Sequence, residues 1–448
     1  MSKKNSLETE SIATVGVPRW SRRGDWLILF LLLGLSAYVY LGWILEHYFA
    51  ISVLERISYI VADPSYVPPG QIQHEVLGAH YFGDWATLRG WTLYESPYLI
   101  DWPAYPPFSL LLNAPFAVLP YTIGATLYLF ANLLLPLVAC WLLLSYLDIV
   151  KRVSAVLLFV VLTLPMILIL DRGNNIGIAF GLFGISLWGL RKTNSWIFMV
   201  SAVMSIGAKF YNGVWVVHLL ARGSRRLIIK VLVITGTLSL LLFAYFPGSL
   251  IENILGFSHT PYTGALAAQY TLGSYTTFSL PMNVICLTQG PDAALTFFNN
   301  TNVLVRWLGL ILYMAALSFA SFKKLLPYYL LIPLTLASIQ FIPTQGYYVI
   351  GWAMIAAPIF ATDGLRFKDE DTNSQRDLNR YSQIPTFKFL EVSVGMAIVF
   401  ALVPFVSAFK TELCTIRLGS FLSPISMYLM LFALTLHIFS CIRKVNES

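Results

Sequence analysis

Residues 26–45 read WLILFLLLGLSAYVYLGWIL, twenty positions without one charged side chain. A helix rises about 1.5 Å per residue, so a run of this length crosses the roughly 30 Å hydrocarbon core of a bilayer. Uncharged runs return at 153–170 and 392–406, and apolar stretches near span length continue along the whole chain. The 448 residues are 57% hydrophobic, 15% aromatic and only 11% charged, whereas soluble domains approach about a quarter charged. That balance excludes a soluble enzyme, a disordered chain and a disulfide-rich secreted domain. The hydrophobicity is continuous, which also excludes the alternating segments of about ten residues that build an outer-membrane barrel. The predicted fold class is an all-α polytopic membrane protein.

A formal charge of +7 raises nucleic acid as a partner, but the basic residues sit between the apolar runs and read as orientation signals instead. Lys3, Lys4, Arg19, Arg22 and Arg23 precede the first run and place the N-terminal tail in the cytoplasm. Counting onward, Lys151/Arg152, Arg191/Lys192, Arg222/Arg225/Arg226, Lys323/Lys324, the loop 366–388 and Arg443/Lys444 fall on the same side. The connections poor in Lys and Arg (46–104, 171–175, 249–303, 343–347 and 410–421) face outward. Both termini are therefore expected in the cytoplasm, with about twelve crossings or half-crossings between them. The expected division is a basic tail (1–25), an N-terminal transmembrane module (26–248) with its first outward loop at 46–104, a second outward loop (249–303), and a C-terminal module (304–448) with the cytoplasmic loop 366–388. In a bacterial host the membrane is the plasma membrane. Cys140 and Cys441 lie in or beside apolar runs, while Cys286 and Cys414 fall in outward loops and are able to pair.

One segment is too short for this counting. About thirty residues separate Arg191/Lys192 from Arg222, fewer than two full spans need. The chain must enter and return early, and Gly207-Ala208-Lys209-Phe210-Tyr211-Asn212-Gly213 at the midpoint supplies the glycines and polar groups for a break at membrane depth. Two short helices are predicted to meet at Lys209. An ammonium facing lipid costs several kcal/mol, so Lys209 is expected to face a polar cavity or to snorkel.

The two long outward loops exceed ordinary connections and are the place to look for chemistry. The first contains His80, Asp84 and Trp85 and ends in Asp101-Trp102-Pro103-Ala104-Tyr105-Pro106-Pro107. The proline-bounded apolar stretch 108–119 that follows is expected to be an interfacial helix. Asp84 and Asp101 stand near aromatics, and either can serve as a general base toward a hydroxyl, or simply as a solvated loop carboxylate. His80 and Asp84, at i and i+4, can share a metal with His74, but no dense ligand cluster completes such a site. At the outer edge, Asp171-Arg172-Gly173-Asn174-Asn175 joins two runs. Arg172 is able to grip a phosphate bidentately, and Lys209 to share the same anion. With no Gly-rich phosphate loop present, a sugar donor would be lipid-linked.

These stretches carry a resemblance. Gly83-Asp84-Trp85 with Gly90, Tyr94 and Tyr98 resembles the first-loop acidic motif of the C-superfamily glycosyltransferases of family 87, which use polyprenol-phosphate-mannose for α-1,2 mannosyl transfer. Tyr105-Pro106-Pro107-Phe108 with Asn113-Ala114-Pro115-Phe116 is similar to that family's Tyr-Pro-Pro segment. Asp171-Arg172-Gly173-Asn174-Asn175 is similar to its Arg-Gly-Gln-x-Asn turn, and Gly207-Ala208-Lys209-Phe210-Tyr211 to its Leu-Lys-x-Tyr-Pro element. Asn174 stands where the family usually has Gln, and Asn212 where it usually has Pro. The resemblance covers residues 80–230.

The resemblance implies a GT-C-type bundle with two long extracytoplasmic loops. It also implies an inverting transfer of a sugar from a polyprenyl-phosphate donor to a glycolipid or lipoglycan acceptor among the membrane lipids. Asp84 is then the base, with Asp101 in reserve, and Arg172 and Lys209 hold the donor phosphate. His80, Trp85, Tyr105, Asn174, Asn175 and Tyr211 are candidates for the substrate pocket. No cofactor, metal or nucleic acid is expected. Two other readings stay open. An arabinofuranosyltransferase would keep the fold and change the sugar. A non-catalytic lipid or glycolipid transporter would account for the broken helices, but it predicts pseudo-symmetric halves, and the chain shows no internal repeat.

Overall fold

The structure, a computed structural model, describes residues 22–49, 121–172, 175–213, 225–245, 276–301, 303–341, 347–361, 384–402, 408–410 and 414–446, with isolated positions in 108–119 and 249–254. These residues are helical apart from turns and one small antiparallel hairpin. Among the described residues, four helices are long and apolar enough to cross a membrane: Gly24–Leu41, Arg226–Tyr245, Pro385–Leu402 and Gly419–Lys444. Shorter apolar helices of 10–17 residues fill the space between them. The first, α1 (Arg22–Phe49), turns an almost wholly apolar surface outward, with Phe30 at 63% and Leu31 at 65% exposure. A surface of that size and character belongs in lipid.

The run 153–170, read above as one uninterrupted stretch, is broken. Helix α3 (Ile149–Val156) passes through a wide turn at Leu157–Val161, and α4 restarts at Leu164 and ends at Arg172. Pro165 explains the break. It has no N–H for the carbonyl of Val161, and its ring would strike that carbonyl, so the chain leaves the helix at Leu162–Thr163 and places the proline in the first turn of the next one.

The N-terminal module is centred on α2 (Tyr121–Leu143), α5 (Ile176–Arg191) and α6 (Ser195–Ala208). A stripe of small residues on α5 lets α2 approach closely. A side chain at Gly177 would enter the carbonyl of Asn132, one at Gly181 would meet the backbone at Leu135 and Pro136, and one at Gly184 would meet Ala139 and Ile355. Helices α5 and α6 are antiparallel and joined by a tight turn in which Thr193 takes a left-handed φ of 54°. Asn194 then caps α6 by accepting a bond from the N–H of Ile197 at 3.1 Å.

Beyond α7 (Arg225–Tyr245), helices α8 (Ser279–Gln289) and α9 (Pro291–Asn300) occupy much of what the sequence suggested was an outward loop. Cys286 therefore lies on a short helix within that stretch. It is disulfide-bonded to Cys414 at the end of a hairpin of β1 (Ala408–Lys410) and β2 (Thr415–Arg417). Met282, Ala294, Phe298 and Ile416 bury themselves around the bond as a small separate core.

The C-terminal module adds α10 (Val303–Phe322), α11 (Tyr328–Ala337), α12 (Ala353–Phe360), α13 (Pro385–Leu402) and α14 (Gly419–Asn446). Its buried centre includes Trp352 and Tyr313, the latter stacked on Phe341 at 4.5 Å and donating to the carbonyl of Leu334 at 2.6 Å. Two 3-10 turns, Ser338–Phe341 and Tyr347–Trp352, bridge the modules. Gly351 packs on Ile176 and Phe180 at the start of α5, and the N–H of Thr277, just ahead of α8, donates to the carbonyl of Gln340 at 2.8 Å. The disulfide-bonded cap and the N-terminal end of α5 thus share one end of the bundle.

Candidate functional site

Because α5 and α6 are antiparallel, the first residue of one meets the last of the other, and this is where the sequence candidates converge. Asn175 occupies the capping position of α5 without capping it. Asn132 does so from α2, its side-chain carbonyl accepting from the N–H of Ile178 at 3.1 Å while its amide donates to the carbonyl of Tyr128 at 3.2 Å. Freed from that task, Asn175 donates to the carbonyl of Ala208 at 3.3 Å. Its own Oδ1 is buried without a hydrogen-bond partner among the described residues. A buried acceptor left in that state costs about 1–3 kcal/mol.

Ala208 is followed by Lys209, which stops α6. Its backbone is extended, with φ −144° and ψ 109°, and the residue is only 7% exposed. A 3-10 turn, Phe210–Gly213, follows. The predicted break at Lys209 is present, and the helix leading into it has 14 residues, short of a full span. The second half of the predicted pair, beyond Gly213, lies outside the described residues.

Phe108 joins the same point. Its ring lies where a side chain on Gly207 would project, two residues before Lys209. Phe108 is 4% exposed and part of the main core, and Phe116 packs edge-on to Tyr128 at 5.7 Å. Of the stretch 108–119, expected to be an interfacial helix, Phe108 and Phe116 pack on the bundle, and most of the other positions lie outside the described residues. The residue that follows Tyr105-Pro106-Pro107 thereby touches the last turn before Lys209.

Arg172 ends α4 three residues ahead of Asn175, which puts their Cα atoms at most about 11 Å apart. The side chains of Arg172 and Tyr211 are not described. Asn174, Asp84, Asp101, His80, Trp85 and Tyr105 lie outside the described residues. The structure therefore brings Asn175, Lys209 and Phe108 together at the positive end of the α5 dipole, a setting that favours an anion.

Two residues of this end were missed in the sequence, Asn132 and Ser205, while Asn212 was read only as a polar residue of the break. Each is a buried polar side chain, and Asn132 and Ser205 stand inside otherwise apolar helices. An amide or hydroxyl in an apolar run was the available signal.

The sequence model described as Glycosyltransferase family 87 matches residues 102–327. Comparison with curated proteins and with solved structures returned no match. The matched span takes in the Asn175 turn and the Lys209 break and begins after Asp84 and Asp101. It covers half of the chain, so the chain belongs to glycosyltransferase family 87 and is an integral membrane glycosyltransferase.

Proposed function

We propose that the enzyme moves a sugar, mannose in α-1,2 linkage, from a polyprenyl-phosphate donor to a glycolipid or lipoglycan acceptor on the outer face of the membrane. The observation that carries this reading is a buried lysine at a helix break beside the N-terminus of α5. A lysine beside the positive end of a helix is a setting for an anion, and the phosphate of a lipid-linked donor is an anion at membrane depth.

In the proposed reaction Asp84, or Asp101 in its place, takes the proton of the acceptor hydroxyl as its oxygen attacks the anomeric carbon. The bond from that carbon to the phosphate oxygen breaks, the configuration inverts, and polyprenyl phosphate leaves. Negative charge grows on the leaving phosphate, which in this scheme Lys209, Arg172 and the α5 dipole stabilise more in the transition state than in the ground state. Asn175, with its unpaired carbonyl, is a ready acceptor for a hydroxyl of the same donor. Fixed cations stand in this scheme where nucleotide-sugar enzymes commonly use a divalent metal.

Membranes containing the protein, incubated with labelled polyprenyl-phosphate mannose or polyprenyl-phosphate arabinose, test the proposal. Mannose delivered to endogenous acceptors is the expected result. Transfer of arabinose alone would reassign the donor, and donor that crosses the membrane without transfer would replace the enzyme by a transporter.

A further inference from the structure

We infer that Asn212 is a positioning residue for Lys209, holding the helix break in the one geometry that presents the ammonium to the donor phosphate; this rests on the phosphate-binding reading just given. Lys209 has left the helix, so its position depends on what grips the chain on either side of it. Its N–H donates to the carbonyl of Ser205 at 3.1 Å, and its carbonyl accepts from the N–H of Asn212 at 3.0 Å.

Asn212 is 2% exposed, and its side chain closes the arrangement. Nδ2 donates to Ser205 Oγ at 2.9 Å and to the carbonyl of Ala179 at 3.3 Å. Ser205 Oγ in turn donates to that same carbonyl at 2.8 Å. One amide therefore ties the turn after Lys209 to the helix before it and to α5 beside it. The knot lies within one helical turn of the Asn175 to Ala208 bond.

Proline is what the family pattern usually has at this position. Proline has neither an N–H nor a side-chain donor, so it would fix the turn through its ring and make none of these bonds. In this chain the same stiffness comes from an amide, whose bonds tie the residue three after Lys209 to the one four before it and to α5.

The test is a double-mutant cycle on the full-length protein in detergent, with binding of polyprenyl phosphate as the readout. Asn212→Ala is expected to weaken binding about 5–30-fold, the loss of one or two buried hydrogen bonds, and Lys209→Met to weaken it at least as much. In the Lys209→Met background Asn212→Ala should cost nothing further, because a positioning residue has no effect once its target is gone. Equal losses in both backgrounds, or no loss in the Lys209 protein, would overturn the inference. A Lys209→Met protein that binds like the unmodified one would instead sink the phosphate-site reading beneath it. Should Asn212→Ala fail to fold, Ser205→Ala removes the same knot from the other side and is put through the same cycle. Misfolding of both would make the knot merely structural and end the proposal.

Discussion

At Gly207 the absence of a side chain is itself a contact, because the Phe108 ring fills the place where a Cβ would be. Gly207→Leu is expected to expel Phe108 from its place beside the Lys209 break, with an overpacking cost of about 1–3 kcal/mol and a loss of sugar transfer. Phe108→Ala in the same protein should return part of the stability, since the two side chains compete for one volume. Thermal unfolding in detergent, alongside a transfer assay, reads both effects. For Asp84 the expected outcome is chemical: Asp84→Asn keeps the shape, removes the proton acceptor and lowers turnover by about 10²–10⁴-fold with donor binding kept, while Asp101→Asn is milder. If Asp101→Asn is the inactive variant, the two exchange roles. The lysine was legible in the sequence because a charge in an apolar half-span stands out from its surroundings. Asn132 was not, since its partner Ile178 lies 46 residues away and only the folded chain brings a helix end to it.

Among the elements, α5 depends on a cap it does not carry. Asn132→Ala removes that acceptor, leaves the N–H of Ile178 buried and unpaired, and is expected to cost about 1–2 kcal/mol, seen as a lower unfolding temperature. On the opposite side of the module, α3 supplies its own cap. Asp148 accepts from the N–H of Lys151 at 3.2 Å and pairs with its ammonium at 3.3 Å, and that backbone hydrogen bond holds the carboxyl below the ordinary Asp value of 3.8. A lowered acid stabilises the fold while it is ionised. Its contribution is therefore full above about pH 4, is lost only as pH falls through the lowered value, and is small because the side chain is more than half exposed. Asp148→Ala should accordingly lose its effect on stability in strongly acidic buffer and keep it at neutral pH. The element breaks were unequally readable. Gly207 and Lys209 announced one of them, whereas Pro165 announced the other and was passed over because the residues around it are uniformly apolar.

For the whole molecule, the basic clusters and the disulfide bear on one question by separate routes. Protein disulfides persist in oxidising compartments, so the Cys286–Cys414 bond predicts that the end carrying the cap, Asn175 and Lys209 faces outward, as the basic residues also do. Gly90→Cys should react with a probe that cannot cross the membrane in intact cells, and Gln375→Cys only after the membrane is opened. The reverse pattern would invert the orientation and detach Asp84 from any outward active site. The membrane character was plain in the sequence because it is a bulk property, repeated along the chain. Pairing of the two cysteines was left open there, since it depends on where a helix and a hairpin come to rest. Their separation of 128 residues has a consequence for the order of synthesis. Cys286 leaves the ribosome long before Cys414, and α10 through α13 lie between them, so the cap closes only after nearly the entire C-terminal module has been inserted. Until then Cys286 waits as a reactive thiol, and a reducing cell-free system would produce a chain that is fully threaded through the membrane but never locked.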